Sequence, residues 1–188
     1  MELHRINRPT VDQLDRSTVV LAPFASTEQH GPHLPFGTDT FIGEEIARRT
    51  DTQLAGQLLL LPAVWLGNSP HHMAFAGSLT ARPDSFGDTA LDVVESILRH
   101  GFRNVLMLNS HGGNRALLDV ALQKLQTAHP EAQIVLVTYW HLIADKIDEI
   151  REGPIDSMGH ACELETSVML SLTPELVGPE RPDETAWG

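Results

Sequence analysis

Four short apolar runs, Ser17–Phe24, Leu58–Val64, Asn104–Leu108 and Gln133–Tyr139, alternate with stretches of helical periodicity, and this alternation narrows the possible folds more than any other feature. The runs are rich in Val, Leu and Ile and lack polar alternation. That is the pattern of strands buried on both faces, as in a mainly parallel sheet covered by helices. Between them, Thr40–Ala55 carries Ile42, Ile46 and Ala47 on one stripe, Asp84–His100 carries Leu91, Val94, Ile97 and Leu98, and Asn114–Ala128 carries Leu117, Leu118, Ala121 and Leu125. Asp84 after Pro83 opens the second of these helices and Gly101 stops it. Further helices are predicted over His141–Arg151 and over Ala161–Leu172, the latter ended by Thr173-Pro174. The expected fold class is α/β, a three-layer α/β/α sandwich with a mainly parallel central sheet. At 188 residues and 41% hydrophobic composition, one domain over residues 1–188 has enough apolar surface for its own core.

The formal net charge of −12 argues against nucleic acid or an anionic membrane surface as a partner, because both reward clustered Lys and Arg. The N-terminal residues lack the apolar core of a signal peptide, and no apolar run approaches the roughly 20 residues of a membrane span. A cytoplasmic location is the expectation. The single cysteine, Cys162, excludes an internal disulfide and reads as packing next to the His160 segment rather than as a nucleophile.

The chemistry is concentrated in the junctions. Residues 28–39, Glu-Gln-His-Gly-Pro-His-Leu-Pro-Phe-Gly-Thr-Asp, place Glu28, His30, His33 and Asp39 in a turn-rich stretch. Imidazole nitrogen and carboxylate oxygen are the ligands that Zn2+, Mn2+ and Fe2+ accept. A solvated polar loop explains one Glu-x-His pair equally well, but three further clusters accompany it. His71 and His72 lie in Asn-Ser-Pro-His-His-Met, His111 in Asn-Ser-His-Gly-Gly-Asn, and His160 in Gly-His-Ala-Cys-Glu-Leu-Glu-Thr-Ser. These motifs hold six of the ten histidines. Two of the clusters follow the first and third apolar runs, at the carboxyl ends of the predicted strands, which share one edge in a parallel sheet and are where open α/β sheets build their sites.

In this order and spacing, Ser-Thr-Glu-Gln-His-Gly-Pro-His-Leu-Pro, Asp39, the Asn-Ser-His-Gly-Gly-Asn turn and the Gly-His-Ala-x-Glu-x-Glu-Thr-Ser segment resemble the creatininase family of metal-dependent amidohydrolases, over roughly residues 15–175. The resemblance implies a creatininase-like fold and two divalent ions per subunit (Zn2+, Mn2+ or Fe2+). Glu28, His30, Asp39 and His111 are then ligands, with Asp39 bridging the ions through its two oxygens. In creatininase itself a glutamate lies two residues beyond the histidine matching His111; here that position is Gly113, so the second ion takes another carboxylate, binds more weakly or is absent. Glu163 and Glu165 are the carboxylates available to replace it. They lie two apart on the predicted helix, about 200° around it, so only one can face the ion. Glu163 is the expected ligand because it shares a helix face with His160 and Ser167.

The resemblance further assigns His160 as the catalytic acid or base, assisted or oriented by Glu165, with a metal-activated water as the nucleophile on an amide carbonyl. His71 and His72, which lie before the Phe75-Ala76-Gly77-Ser78 loop, and Ser78 within it are expected to face the substrate, as are Gly112 and Gly113, whose missing side chains allow close approach. The same turn also serves as a plain strand-to-helix connection capped by Asn114. Trp140 is expected as an apolar pocket wall, with core packing the other reading. His33 sits in a loop stiffened by Pro32 and Pro35, where a neighbouring subunit would account for it.

The leading expectation is hydrolysis of a C–N amide bond in a small cyclic amide or formamide. Creatinine itself is disfavoured, because both residues after His111 differ from the creatininase pattern. A peptidase trimming a small modified peptide, and a non-catalytic metal-binding or assembly subunit, are the alternatives. The family's chains run several dozen residues beyond the Glu-Thr-Ser helix, so this chain reads as short at its C-terminus, with Thr173 onward a loop. Family members are commonly hexameric, which makes a homo-oligomer the expected state.

Overall fold

The computed structural model describes residues 1–154 and 158–181. Four strands, β1 (Val19–Phe24), β2 (Leu58–Leu60), β3 (Asn104–Asn109) and β4 (Gln133–Thr138), form one parallel sheet in the order β2-β1-β3-β4. β1 runs in register with β3 from Val19 opposite Asn104 to Phe24 opposite Asn109, and β3 runs likewise with β4. The helices are α1 (Arg8–Asp12), α2 (Thr38–Gln53), α3 (Pro83–Arg99), α4 (Arg115–Ala128), α5 (Ile147–Ile150) and α6 (Glu163–Leu172).

The chain steps from β1 outward to β2, then back across β1 to β3 and on to β4. Right-handed crossovers in opposite directions put their helices on opposite faces. On one face Val20, Ala22, Phe24, Val105 and Met107 pack against Phe86, Ala90, Val94 and Leu98 of α3 and Leu118, Ala121 and Leu125 of α4. On the other, Leu21, Leu58, Leu60 and Leu108 pack against Ile42 and Ala47 of α2 and Met169 of α6. The three-layer α/β/α reading therefore holds, and the apolar runs are continuous because most of their residues have helices on both sides.

Three local expectations need correction. The run Leu58–Val64 is a strand only to Leu60. Pro62 has no N–H for the ladder, and beyond it only a single bridge from Val64 to Phe24 continues the pairing. The run Gln133–Tyr139 is at the sheet edge rather than buried on both faces, with Val135 52% exposed between better-covered neighbours. The predicted helix over His141–Arg151 is a 3-10 stretch at Tyr139–Ile143 followed by one turn, α5, with no buried residue. A helix that packs nothing has little to sustain it, since tertiary burial supplies most helical stability. In the predicted C-terminal loop, Pro174–Leu176 form a 3-10 turn, and residues 182–188 lie outside the described ones. No helix among the described residues is long and apolar enough to cross a membrane.

Two positions on α4 separate burial from propensity. Leu118 is fully buried and Val120, on the same helix, is 51% exposed. Leu118→Ala should lower unfolding free energy by about 2–5 kcal/mol. Val120→Ala should change it by less than about 0.5 kcal/mol. Urea unfolding of the two variants checks the assignment, and equal losses would contradict the packing described.

Candidate metal centre

The strand order reverses between β1 and β3, so the loops leaving their carboxyl ends turn to opposite faces and a crevice opens between them. The loop after β1 is held by its own backbone. Ala25 N–H donates to Val64 O, Glu28 N–H to Phe36 O and Leu34 N–H to His30 O. Gly31 turns the chain at φ +64°, where a Cβ would crowd the His33 ring. Helix α2 starts at Thr38, two residues earlier than expected, which places Asp39 in its first turn at the positive end of the helix. Ser26 Oγ donates to Asp39 Oδ2 at 2.7 Å, and Ser110 Oγ donates to the Asp39 carbonyl at 2.8 Å, tying β1, β3 and α2 to one carboxylate-bearing residue.

Around Asp39 the ligand-type atoms converge. Oδ1 lies 3.3 Å from His30 Nε2, and Oδ2 lies 3.0 Å from His111 Nδ1. His111 Nδ1 is also 3.3 Å from Glu28 Oε1, and His30 Nε2 is 3.8 Å from Glu165 Oε1. His160 Nδ1 and His72 Nε2 approach Glu28 Oε1 at 3.5 and 3.7 Å. The outer nitrogens meet carbonyls: His30 Nδ1–H donates to Glu28 O at 3.1 Å, and His111 Nε2–H donates to Asn68 O at 3.0 Å. Each bond keeps a hydrogen on the outer nitrogen and turns the inner one toward the carboxylates, where it can give up its proton to a metal ion.

Burial sets the electrostatics. It pushes the His30 and His111 imidazoles down, but Asp39, with Glu165 for His30 and Glu28 for His111, outweighs it and holds them up at about 9 and about 10. Burial raises the Asp39 carboxyl, yet His30 and His111 drive it well below the ordinary carboxylate range. Burial likewise opposes, without reversing, the lowering of Glu28 by His111. Glu165 is pushed up to about 7 by burial, and His160 down to about 4 by burial and then by the charge of His30. In the metal-free chain, protons on His30 and His111 thus stand in for cationic charge. Glu28 Oε2 and His30 Nε2 are buried without a hydrogen-bond partner, a costly state that a divalent cation would relieve. The oxygen and imidazole donor set fits Zn2+, Mn2+ or Fe2+.

The predicted site residues divide. Glu28, His30, Asp39 and His111 come together, with His160 and Glu165 beside them. Glu163, expected as a ligand, lies away from the cluster; its carboxylate accepts from the Glu152 and Gly153 N–H groups. That expectation treated His160 as helical, whereas α6 starts only at Glu163, after Ala161 turns the chain at φ +52°. Glu165 takes the inward place instead, its Oε2 accepting from Cys162 N–H while Oε1 faces His30. Ser78 is also misplaced by the sequence reading: it lies outside the cavity lining, and its hydroxyl accepts from Gln29 N–H. His33 bonds internally to Thr166 Oγ1. A cavity of about 650 Å³ opens over the cluster, and His72, Gly112, Gly113, Trp140 and Cys162 line it. A Cβ on Gly113 would meet Asn68 O at 2.1 Å and His111 Nε2 at 2.6 Å, so this loop geometry excludes any side chain there. Gln29 was missed because an amide gives no signal in a search for titratable ligands; its position between Glu28 and His30 was the only clue.

The fold is that of the creatininase class. The creatininase family, described as creatinine amidohydrolase, matches residues 4–187, and the chain belongs to it. It is 31% identical over 177 residues to the 3-dehydro-scyllo-inosose hydrolase of Thermotoga maritima, covering 90% of this chain and 55% of that one. It is 32% identical over 169 residues to the mycofactocin precursor peptide peptidase of Mycobacterium ulcerans, covering 86% and 61%. The chain therefore spans 55% and 61% of the length of these relatives. In structure it matches a creatinine amidohydrolase with TM-score 0.82 at 23% identity, over 99% of this chain and 81% of that one. Solved creatininases of this fold include a Mn form and one of Zn-Zn type.

The two glutamates of α6 make opposite predictions. Glu165→Gln should lower bound metal per chain after reconstitution, by up to one ion, and Glu163→Gln should leave it unchanged; elemental mass spectrometry reads both. In the chelated chain, His30 and His111 hold protons that the unfolded chain releases near pH 6.5, so stability should fall as pH rises from about 6.5 through about 9 to 10. Glu165, raised from 4.5 to about 7, acts in the same direction between those values. Urea midpoints across this range should decline, and a rising profile would contradict the charge arrangement.

Proposed function

We propose that the chain is a divalent-metal-dependent hydrolase cleaving the C–N amide bond of a small cyclic amide or formamide. The observation that carries this reading is the convergence of Glu28, His30, Asp39, His111 and Glu165 on one buried point under a cavity, with two of their polar atoms unpartnered. Glu28, His30, Asp39, His111 and Glu165 would hold the divalent metal, with Asp39 turning one oxygen toward His30 and the other toward His111. A divalent ion bound there supplies Lewis acidity, polarising a carbonyl and bringing the pKa of water towards about 7.

His160 serves the proton transfers. Its Nδ1 faces Glu28 and the cavity, and burial with the neighbouring His30 keeps the ring neutral at working pH. It takes a proton from the attacking water and returns it to the leaving nitrogen. No Lys or Arg lines the cavity among the described residues, so no side-chain cation is there to pair with an anionic substituent of the substrate. Trp140, Ile147 and Leu164 offer an apolar wall to a compact neutral ring. Similarity to the mycofactocin precursor peptide peptidase supports a second reading, trimming of a small modified peptide. Exposed Trp65, Met73, Phe75 and Leu79, in the segment carrying His71 and His72, favour association of like subunits into a homo-oligomer.

The test is a substrate screen on Zn2+- and Mn2+-reconstituted protein with lactams, formamides, small peptides and 3-dehydro-scyllo-inosose. Turnover of the first two classes is expected. Turnover confined to peptides or to the inosose, by fully metal-loaded protein, would overturn the amide reading. On any substrate cleaved, His160→Ala should lower kcat by about 10²–10⁴-fold while metal content stays at the wild-type value.

A further inference from the structure

Gln29 is the one residue of the Glu28–His30 run without a candidate ligand atom, yet it is buried and every polar group it owns is engaged. Its N–H donates to Ser78 Oγ at 3.0 Å, and its Oε1 accepts from Gly31 N–H at 2.9 Å. The Gly31 hydrogen is fixed by the backbone, so the amide must present oxygen to it and nitrogen to the other side. On that side lies His72 Nδ1 at 2.8 Å. An NH2 group only donates, so His72 Nδ1 accepts and the ring of neutral His72 carries its hydrogen on Nε2. That Nε2 lies 3.7 Å from Glu28 Oε1 on the cavity floor.

The carbonyl of the same residue fixes a second ring. His160 Nε2 lies 2.6 Å from Gln29 O, a distance at which two lone pairs would repel, so Nε2–H donates and Nδ1 is left unprotonated. The Gln29 amide nitrogen is 3.0 Å from His160 Nε2, a contact that two donors cannot make into a hydrogen bond. The two imidazoles are stacked, 4.2 Å between centroids and 29° between planes. Both are Nε2–H tautomers, but they are turned so that His72 offers the cavity a hydrogen and His160 offers it a lone pair.

We infer that Gln29 is a positioning residue that sets these two rings to opposite polarity, making His72 a fixed hydrogen-bond donor to the substrate beside the base His160. Its part in catalysis rests on the amide-hydrolase reading above; its part in setting the tautomers does not. In the hydrolysis, the water oxygen bonds to the carbonyl carbon as its proton passes to His160 Nδ1. The C–N bond then breaks with its electron pair left on nitrogen, which takes that proton back. His72 gives up no proton: its Nε2–H stabilises negative charge growing on the carbonyl oxygen. With Nε2 protonated, His72 is also withheld from binding a metal through its cavity-facing nitrogen, although it stands close enough to join Glu28 and His160 around an ion.

The experiment is nitrogen-15 NMR of ring-labelled histidines in the Zn2+-loaded protein, with His72→Asn and His160→Asn used to assign the signals. In the wild type, Nδ1 of both rings should report as unprotonated and Nε2 as protonated. Gln29→Glu replaces the amide donor by an acceptor, so His72 Nδ1 should gain a proton while His160, bonded to the main chain, keeps its Nε2–H. A wild-type His72 protonated on Nδ1, or a His72 signal unmoved in Gln29→Glu, would overturn the inference. The wild-type spectrum decides the tautomers even if the variant fails to fold. On any amide that the wild type cleaves, Gln29→Glu should lower kcat about 100-fold or more with KM little changed and metal content retained. Absence of amide turnover with the expected tautomers would reject the hydrolase reading and leave the positioning role standing.

Discussion

Everything at the carboxyl edge of the sheet follows from putting Glu28, Asp39 and Glu165 out of water within reach of one another. Isolated buried carboxylates repel and are costly to desolvate, so each needs positive charge or hydrogen-bond donors close by. Asp39 receives both, from Ser26 Oγ and from the two imidazoles that its oxygens face. Glu165 has fewer donors, and burial raises it instead. A cluster that relies on protons carried by histidines is balanced in charge but not in geometry, since His30 Nε2 and Glu28 Oε2 still find no hydrogen-bond partner. Divalent cations answer both needs, which is why the charge arrangement and the donor set lead to the same proposal.

The fold delivers this cluster at little strain because the strand order changes direction beside it. β1 and β3 are paired over their full length, so the loops that follow start side by side and then part to opposite faces. Glu28, His30 and Asp39 come from one departure and His111 from the other. Backbone carbonyls hold the far nitrogens of His30, His111 and His160, so the imidazoles are aimed by the main chain rather than by flexible neighbours. Rotation of any of these rings would leave a buried carbonyl unpaired, a cost of about 1–3 kcal/mol that keeps the donor atoms in place.

How much of this was legible depended on whether a residue's place follows from its own strand end or from a distant turn. Glu28, His30 and His111 were readable as neighbours because each follows an apolar run within six residues, and a parallel sheet brings such ends to one edge; Asp39, 15 residues past Phe24, was readable only from the turn-rich stretch it closes. The choice between Glu163 and Glu165 was not, because it turned on where α6 begins. Ala161 in a left-handed conformation delays the helix past His160, and nothing in its side chain announces that. Ser78 was misread for a related reason: a hydroxyl near a site serves the backbone as readily as a ligand, and here it serves Gln29. The edge position of β4 and the brevity of α5 depend on what packs against them, which local apolar pattern does not encode.

Glycine at position 113 and a carboxylate at Glu165 make the cluster depend on two different parts of the chain. A side chain at position 113 would collide with Asn68 O and the His111 ring, so the Asn68–Ser69 segment can close over His111 only because residue 113 is glycine. That closure is what gives His111 Nε2–H its acceptor. The carboxylate that faces His30 from outside the sheet comes instead from the first turn of α6, a helix that packs its Met169 into the apolar layer with α2. Ligands from β1, β3 and α2 are set by the sheet itself, whereas Glu165 is set by docking of a helix more than 50 positions beyond His111 in the chain. Loosening α6 against α2 would therefore weaken the His30–Glu165 side of the centre while leaving the Glu28–His111 side formed. The two halves of the cluster share Asp39 but owe their order to different parts of the fold.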